Sequence, residues 1–314
     1  MAFEFQSESF CAELSAPTPL EQVLRGRYPG ASWSAIRKLV STGKVALGGA
    51  PSTEARQLVA PGSMIQIRMA APRPRPGSQL GLERLLYCDP HVVVVKKPAG
   101  ISSVIHEDEP TSLQEEVRVW LSERERRPCP PLKVVHRLDK VTSGVMLFAR
   151  TAAAQAELKG QFRAHTTGRY YVAVAHGRVE DATLSFRLVR NRGDGLRGIT
   201  KDPNEGTHSV THVTVRERLA RCSVLECRLE TGRTHQIRIH LSTIGHPVVG
   251  DPVYGRDHAG PRLDCPRTLL HASFLSFAHP TQRQRLSFEH PLPEDFESWL
   301  RNERGALAGR ASGS

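Results

Sequence analysis

The sequence predicts an α+β fold in which helices pack on a mixed, largely antiparallel sheet, with a small α/β domain in front of it at the N-terminus. Two observations lead to this prediction. Between residues 82 and 303, strand patterns outnumber helical patterns, and many strands follow one another directly. Before residue 70, two short amphipathic helices precede short strands, and a stretch rich in Pro and Arg separates the two regions.

The N-terminal region begins with two helical patterns. Apolar residues recur at helical spacing in TPLEQVLRGR, residues 18–27, and mark one face of SWSAIRKLVSTG, residues 32–43, with Gly43 as a typical helix end. KVALGGAP then predicts a strand and a Gly-Gly turn, and GSMIQIRM a later strand. We therefore expect these domains: a small domain over 15–70, a linker over 71–81, a larger domain over 82–303 and a disordered tail over 304–314.

The larger region alternates strand and helix patterns. Ser112 and Glu115 form a capping box at the start of its first helix. Strands are predicted in HVVVVKKPAG, SGVMLFART, GRYYVAVAHG, ATLSFRLVRN, SVTHVTVRERL and CSVLECRLE, and helices in TSLQEEVRVWLSERERR, AAAQAELKGQFRAH and RTHQIRIHLSTIG.

Composition limits the class of protein. Lys and Arg number 43 against 32 acidic residues, which gives a formal charge of +11. This excess favours a polyanionic partner, of which nucleic acid is the commonest, although a merely basic protein is the alternative. MAFEFQSESF lacks the features of a signal peptide, and no apolar run is long enough to span a bilayer. We expect a cytoplasmic protein without membrane contact and, because no heptad pattern is visible, a monomer.

Asp139 stands in HRLDKVTSG between Arg137 and Lys140, and such cationic neighbours favour an ionised carboxylate. It is either a nucleophile or a salt-bridge partner, and an Asp that merely stabilises a turn is the plainer alternative. In ETGRTHQIRIHL, a helix starting at Thr234 would turn Arg238 to one face, where it could meet a carboxylate, but a solvated basic helix has the same pattern.

Neither metal nor cofactor is predicted. Six Cys contain no C-x-x-C pair, and His235, His240, His246 and His271 lack an acidic or thiol partner at ligand spacing.

Several motifs together resemble the pseudouridine synthases that modify bacterial large-subunit ribosomal RNA and some transfer RNAs. In order, they are LLYCDPHVVVVKKPAGI, HRLDKVTSG, RYYVAV, GRTHQIRIHL, HPVVGDPVYG and LLHASFLSFAHP. The resemblance implies that Asp139 is the catalytic nucleophile, that Arg137 fills the space left by a flipped uridine, and that Arg238 pairs with Asp139. It also implies that Tyr171, rather than Tyr170, stacks on the base and assists proton removal, and that Leu269 or Leu270 forms an apolar wall.

The N-terminal region resembles the small RNA-binding domain of ribosomal small-subunit protein four. That resemblance implies that Arg37, Lys38 and Lys44 face RNA, although a solvated helix face gives the same pattern. The predicted function is isomerisation of uridines in structured RNA without a cofactor, with ribosomal RNA favoured over transfer RNA. The alternatives are a non-catalytic RNA-binding or ribosome-assembly protein with the same fold, and an N-glycosidase.

Overall fold

The computed structural model describes residues 3–52, 54–71, 82–105, 109, 111–256, 258–261 and 263–311 of the 314-residue chain. They cluster into two compact units, Met1–Leu80 with Val104–Arg127, and Gly81–Ser103 with Pro128–Ser314. Apart from Ala71, the predicted linker lies outside the described residues. Because Val104–Arg127 clusters with the N-terminal unit and not with the rest of 82–303, the expected domain limits stay a prediction.

The first unit contains the two predicted N-terminal helices, and the side chain of Ser32 caps the second by accepting a hydrogen bond from the Ala35 N–H. Gly48 and Gly49 both have positive φ, as a two-residue hairpin turn requires. Its helices are α1 (Leu20–Arg27), α2 (Trp33–Ser41) and α3 (Leu113–Glu125); its strands are β1 (Glu8–Cys11), β2 (Thr18–Pro19), β3 (Val45–Leu47), β4 (Ala50–Ser52), β5 (Leu58–Val59) and β6 (Met64–Ile67).

Strands β1, β6, β3 and β4 form one sheet in that order, and β2 pairs with β5. The apolar faces of α1 and α2 pack with strand β6 in a core that includes Leu20, Leu24, Ile36 and Ile65, all fully buried. Burial of each such side chain stabilises the folded state by about 1.5–3 kcal/mol relative to its exposure to water. At α3, the Ser112 hydroxyl accepts a hydrogen bond from the Glu115 N–H, which confirms Ser112 as the N-cap of the predicted capping box, and the Glu115 carboxylate pairs with Arg118.

The second unit is built on an eleven-stranded sheet. Its main path has the order β13-β12-β14-β15-β11-β16-β10-β8-β7, with β17 paired to β16 and β9 to β10. The strands are β7 (Leu85–Cys88), β8 (Val92–Lys97), β9 (Lys133–Val134), β10 (Ser143–Ala149), β11 (Gly168–His176), β12 (Ala182–Val189), β13 (Gly198–Thr200), β14 (Thr207–Arg218), β15 (Cys222–Leu229), β16 (Leu270–Ala278) and β17 (Arg285–Glu289).

Three helices accompany this sheet: α4 (Ala152–Arg163), α5 (Gln236–Thr243) and α6 (Glu294–Ala311). Among the described strands, β10 and β16 form the one parallel pair, and every other pairing is antiparallel. The predicted class, a mixed and largely antiparallel sheet with helices, is therefore confirmed. Helix α6 continues to Ala311 and so overlaps the segment 304–314, for which a disordered tail was expected.

None of the helices within the described ranges has both the length and the apolar character that a membrane crossing requires.

Candidate active site

Asp139 lies in the turn between β9 and β10, and the segment that follows β8 holds this turn in place. The buried Ser103 hydroxyl donates to the Leu138 carbonyl at 2.7 Å and accepts from the Leu138 N–H at 3.0 Å. Lys97, buried at 1% exposure, donates to the carbonyls of Lys140 and Thr142 at 3.2 and 2.7 Å. The backbone on both sides of Asp139 is thus fixed, while its side chain keeps 20% exposure.

Arg238 connects Asp139 to a second carboxylate, Asp251. Its Nε and Nη2 donate to the two oxygens of Asp251 at 2.6 and 2.9 Å, and its Nη1 donates to Oδ2 of Asp139 at 3.4 Å. The Asp251 side chain has no exposed surface and also accepts the N–H groups of Val253 and Tyr254. Asp251 therefore fixes the position of the guanidinium, and Asp139 accepts a hydrogen bond from the remaining nitrogen, Nη1.

The pKa values agree with this division. Burial favours a raised pKa for Asp251, but hydrogen bonds and charge from Arg238, with the two backbone N–H groups, hold it below its usual value. Burial likewise opposes the charge of Arg238, and its two carboxylate partners outweigh that effect and raise its pKa. Both groups stay charged at neutral pH.

Helix α5, which carries Arg238, begins two residues after the predicted start at Thr234. The reason is Gln236, whose buried side chain accepts from the Thr231 hydroxyl and the Arg233 N–H and donates to the Val210 carbonyl and the Thr211 hydroxyl. These bonds fasten the first residue of the helix to β14. His235 is left at the N-cap with φ of 59°, in the left-handed region.

His235 and Tyr254 complete the surroundings of Asp139. The His235 Nδ1 and the Tyr254 hydroxyl are 2.8 Å apart, and the His235 Nε2 lies 3.9 Å from Oδ1 of Asp139. The Arg238 guanidinium carbon lies 5.0 Å from the centre of the Tyr254 ring. Burial lowers the pKa of His235 and raises that of Tyr254. None of the residues His235, Asp251 and Tyr254 has a predicted catalytic role, although GRTHQIRIHL and HPVVGDPVYG contain them.

Tyr171, on β11, is buried at 9% exposure, whereas Tyr170 contacts Phe274 edge to face. Burial raises the pKa of Tyr171 to about 12, with Arg169 opposing this and the Asp139 carboxylate adding to it. Tyr171 therefore senses the charge of Asp139 and remains protonated at neutral pH. Of the three predicted catalytic residues, Asp139 and Arg238 are joined by a hydrogen bond, and Tyr171 is buried on β11, which is separated in the sheet from β10, the strand after Asp139, by β16 alone.

The two predicted apolar residues lie on opposite faces of the sheet. Leu270 pairs with Ala173, which has the same strand parity as Tyr171, so Leu270 shares the face of Tyr171. Leu269 instead packs in a core cluster with Val174 and residues of α6. Arg137 is exposed, and it makes no hydrogen bond or ion pair with the part of the chain that the structure describes.

The three predicted RNA-binding residues lie in the first unit. Lys38 is exposed on α2, and Arg37 is exposed but paired with Glu21 at 2.6 Å. The Lys44 ammonium donates to the Ala71 carbonyl. In the described ranges, no three side chains of His, Cys, Asp or Glu are placed to hold a metal ion.

Comparison with known proteins gives consistent matches. Residues 91–243 match the family described as RNA pseudouridylate synthase. The chain is 36% identical over 292 residues to an uncharacterized RNA pseudouridine synthase of Mycobacterium tuberculosis, covering 89% of this chain and 92% of that one. It is 35% identical over 296 residues to ribosomal large subunit pseudouridine synthase D of Xanthomonas campestris, covering 88% and 86%.

Among solved structures, human RNA pseudouridylate synthase domain containing 4 matches with a TM-score of 0.59 and 22% identity, over 71% of this chain and 93% of that one. At that identity the match concerns the fold alone.

Proposed function

The chain belongs to the RNA pseudouridine synthase family, and from that premise we propose that Asp139 is its catalytic carboxylate and that ribosomal RNA is its substrate. The observation that carries this proposal is the arrangement of Arg238 between two carboxylates. One of them, Asp251, is fully enclosed, and the other, Asp139, is accessible.

The reaction itself explains why one carboxylate is enough. Conversion of uridine to pseudouridine breaks the bond between N1 and C1′, joins C5 to C1′, and moves a proton from C5 to N1. Atoms and electrons balance within the nucleotide, so neither a cofactor nor a second substrate is required. Asp139 can begin the reaction by attack on the sugar carbon or by removal of a sugar proton, and both routes need an ionised oxygen facing the ribose.

The role of Arg238 is to position Asp139. A guanidinium held along its Nε–Nη2 edge by both oxygens of Asp251 presents Nη1 with little rotational freedom, and this directs the Oδ2 atom of Asp139. Asp251 cannot act as a water-activating base, since both its oxygens are engaged and it has no exposed surface. An ordinary glycoside hydrolase usually uses two available carboxylates, and only Asp139 is available of the pair that binds Arg238.

Three further residues are proposed to contact the extruded nucleotide. Tyr171 is buried with a protonated hydroxyl, which suits stacking on the base and hydrogen bonding better than proton removal by a phenolate. Leu270, on the same sheet face, suits the apolar wall, and Leu269 does not. Arg137, exposed two residues before Asp139, is suited to fill the vacated space in the RNA, because a guanidinium can stack on bases and bind phosphate.

We also propose that the N-terminal unit binds RNA in the manner of the domain it resembles in ribosomal small-subunit protein four. The order of two helices followed by a hairpin supports this, as does the exposed Lys38. A ribosomal RNA substrate is supported by the name of the Xanthomonas relative, a ribosomal large subunit enzyme.

The proposal is tested by mapping pseudouridine in ribosomal and transfer RNA from cells that lack this gene and are complemented with the wild type or with Asp139→Asn. We expect specific sites in large-subunit ribosomal RNA to disappear in the deletion strain and to return only with the wild-type gene. Asp264→Asn is the matched control, because that Asp is exposed in the same unit.

Modification by Asp139→Asn at the wild-type level would exclude Asp139 as the catalytic carboxylate. Sites lost only from transfer RNA would exclude the ribosomal substrate and leave the chemistry intact. Unchanged RNA in the deletion strain would favour the non-catalytic alternative.

A further inference from the structure

Trp33 is an exposed aromatic residue between cationic groups. It begins α2 and has 43% of its surface in water, although a Trp normally gains from burial. The guanidinium carbons of Arg25 and Arg37 lie 5.8 and 6.0 Å from the centre of its ring. Helix α2 buries Ile36, Leu39 and Val40, and Trp33 lies beside this buried face at the exposed first turn of the helix, with Arg37 exposed one turn later.

Both arginines are held in place by the protein. Arg25 donates to the carbonyl of Pro29 at 2.7 Å and to that of Ala31, so the guanidinium is fixed without losing its charge. Arg37 donates to Glu21 at 2.6 Å. Two arginines that the protein holds in place therefore lie over the indole ring.

From this arrangement we infer that Trp33 is a stacking site for an unpaired base of RNA, an inference that rests on the proposed RNA-binding role of this unit. An indole ring offers a flat apolar face to a base, and each such contact contributes substantially to binding of single strands. The guanidinium groups and the neighbouring Lys38 supply positive charge where the phosphates of the same strand would pass.

An apolar protein surface is a poorer partner for this site. Covering Trp33 with apolar side chains would also remove water from the Arg25 guanidinium, whose described hydrogen-bond partners are neutral carbonyls, and this costs free energy that an apolar surface cannot offset. RNA brings its own negative charge and leaves both cations solvated or paired. An RNA strand is therefore the occupant that suits the ring and its charged surroundings together.

The test uses the full-length protein and a fluorescein-labelled RNA of twelve adenosines. We expect Trp33→Leu to weaken the Kd, measured by anisotropy, by about 5- to 100-fold, and Trp33→Phe to retain most of the affinity. Binding should quench tryptophan emission in the wild type and not in Trp33→Phe, which keeps Trp120 and Trp299. Leu58→Ala, at another exposed apolar residue of the same unit, is the control and should bind as the wild type does.

Salt dependence separates stacking from charge. Trp33→Leu should leave the slope of log K against log salt unchanged, whereas Lys38→Gln should reduce it by about 0.7. An unchanged Kd in Trp33→Leu overturns the stacking site, whatever the emission does. If Lys38→Gln weakens binding in the same experiment, RNA binding by this unit survives that result. Pseudouridine mapping with Asp139→Asn decides the proposed chemistry independently.

Discussion

At the scale of single residues, two carboxylates bound to one Arg have different environments. Asp251 accepts four hydrogen bonds, two from Arg238 and two from backbone N–H groups, and has no exposed surface. Asp139 receives one long hydrogen bond from Arg238, and a fifth of its side chain remains accessible. The buried carboxylate supplies rigidity, and the accessible one is left free to react.

Asp251→Asn tests this division. The amide would turn an N–H₂ group towards the Arg238 guanidinium and leave a buried charge only partly compensated, so we expect the free energy of unfolding to fall by about 3 kcal/mol or more. The rate of pseudouridine formation should fall while the Kd for RNA stays unchanged, because Asp251 has no surface for RNA to contact. Urea unfolding and single-turnover assays measure both, with Asp264→Asn as the control. A wild-type rate would show that Asp251 does not position Arg238.

The sequence could indicate Asp139, Arg238 and Tyr171 only through several motifs considered together. From the sequence alone, the cations near Asp139 were predicted to be Arg137 and Lys140, which lie within two residues of it. In the structure, the cation bonded to Asp139 is Arg238, 99 residues away, and Arg137 points into solvent. Partners this distant in the chain leave no trace in local spacing, and for the same reason Asp251 received no role.

At the scale of elements, regular apolar periodicity predicted the positions of helices and strands well, and stretches without such periodicity did not. Helices α1, α2 and α4, and strands β8, β10 and β11, follow apolar periodicity and appear where the sequence predicts them. The start of α5 was misplaced because the buried side chain of Gln236, and not a conventional cap, determines it. Strand β13 lies in a Gly-rich polar stretch without apolar periodicity, and its pairing with β12 defines it.

Gly144 allows the one parallel pairing in the described sheet, directly after the Asp139 turn. Its φ is 127°, and a Cβ there would lie 2.2 Å from the Ala272 carbonyl oxygen on β16. We expect Gly144→Ala to lower the free energy of unfolding by about 3 kcal/mol or more and to reduce activity, because β10 must move away from β16.

Gly160→Ala is the matched control for that variant. Gly160 lies inside α4, and a Cβ added there would meet no atom of another element within 4 Å, so the same substitution should stabilise the protein by about 0.5–1 kcal/mol. Thermal or urea unfolding of both variants measures the two changes in stability. Equal stabilities would mean that the close approach of β10 and β16 does not constrain the sheet.

At the scale of the whole molecule, the second unit contains several His side chains that are neutral in the folded state. Burial lowers the pKa of His136 to about 3, with a further contribution from Arg169. Burial also lowers the pKa values of His176, His240 and His271 to about 4. The contacts agree, since the His136 Nε2 accepts the Leu147 N–H, which requires an unprotonated nitrogen.

Because these histidines have lowered pKa values, we expect the free energy of unfolding to fall in mild acid. An unfolded His takes up a proton near pH 6.5, whereas the folded ones resist protonation down to about pH 4, so the unfolded state binds more protons between these values. The stability they provide is complete above pH 6.5 and is lost as the pH falls, by up to about 1.4 kcal/mol per pH unit for each His. The free energy of unfolding, measured in urea from pH 7.5 to 5, should fall with decreasing pH. In His271→Gln this pH dependence should be weaker by the equivalent of about one proton taken up on unfolding. His208→Gln, at an exposed His, should leave it unchanged, and equal slopes in all three proteins would contradict the assignment of a neutral buried His271.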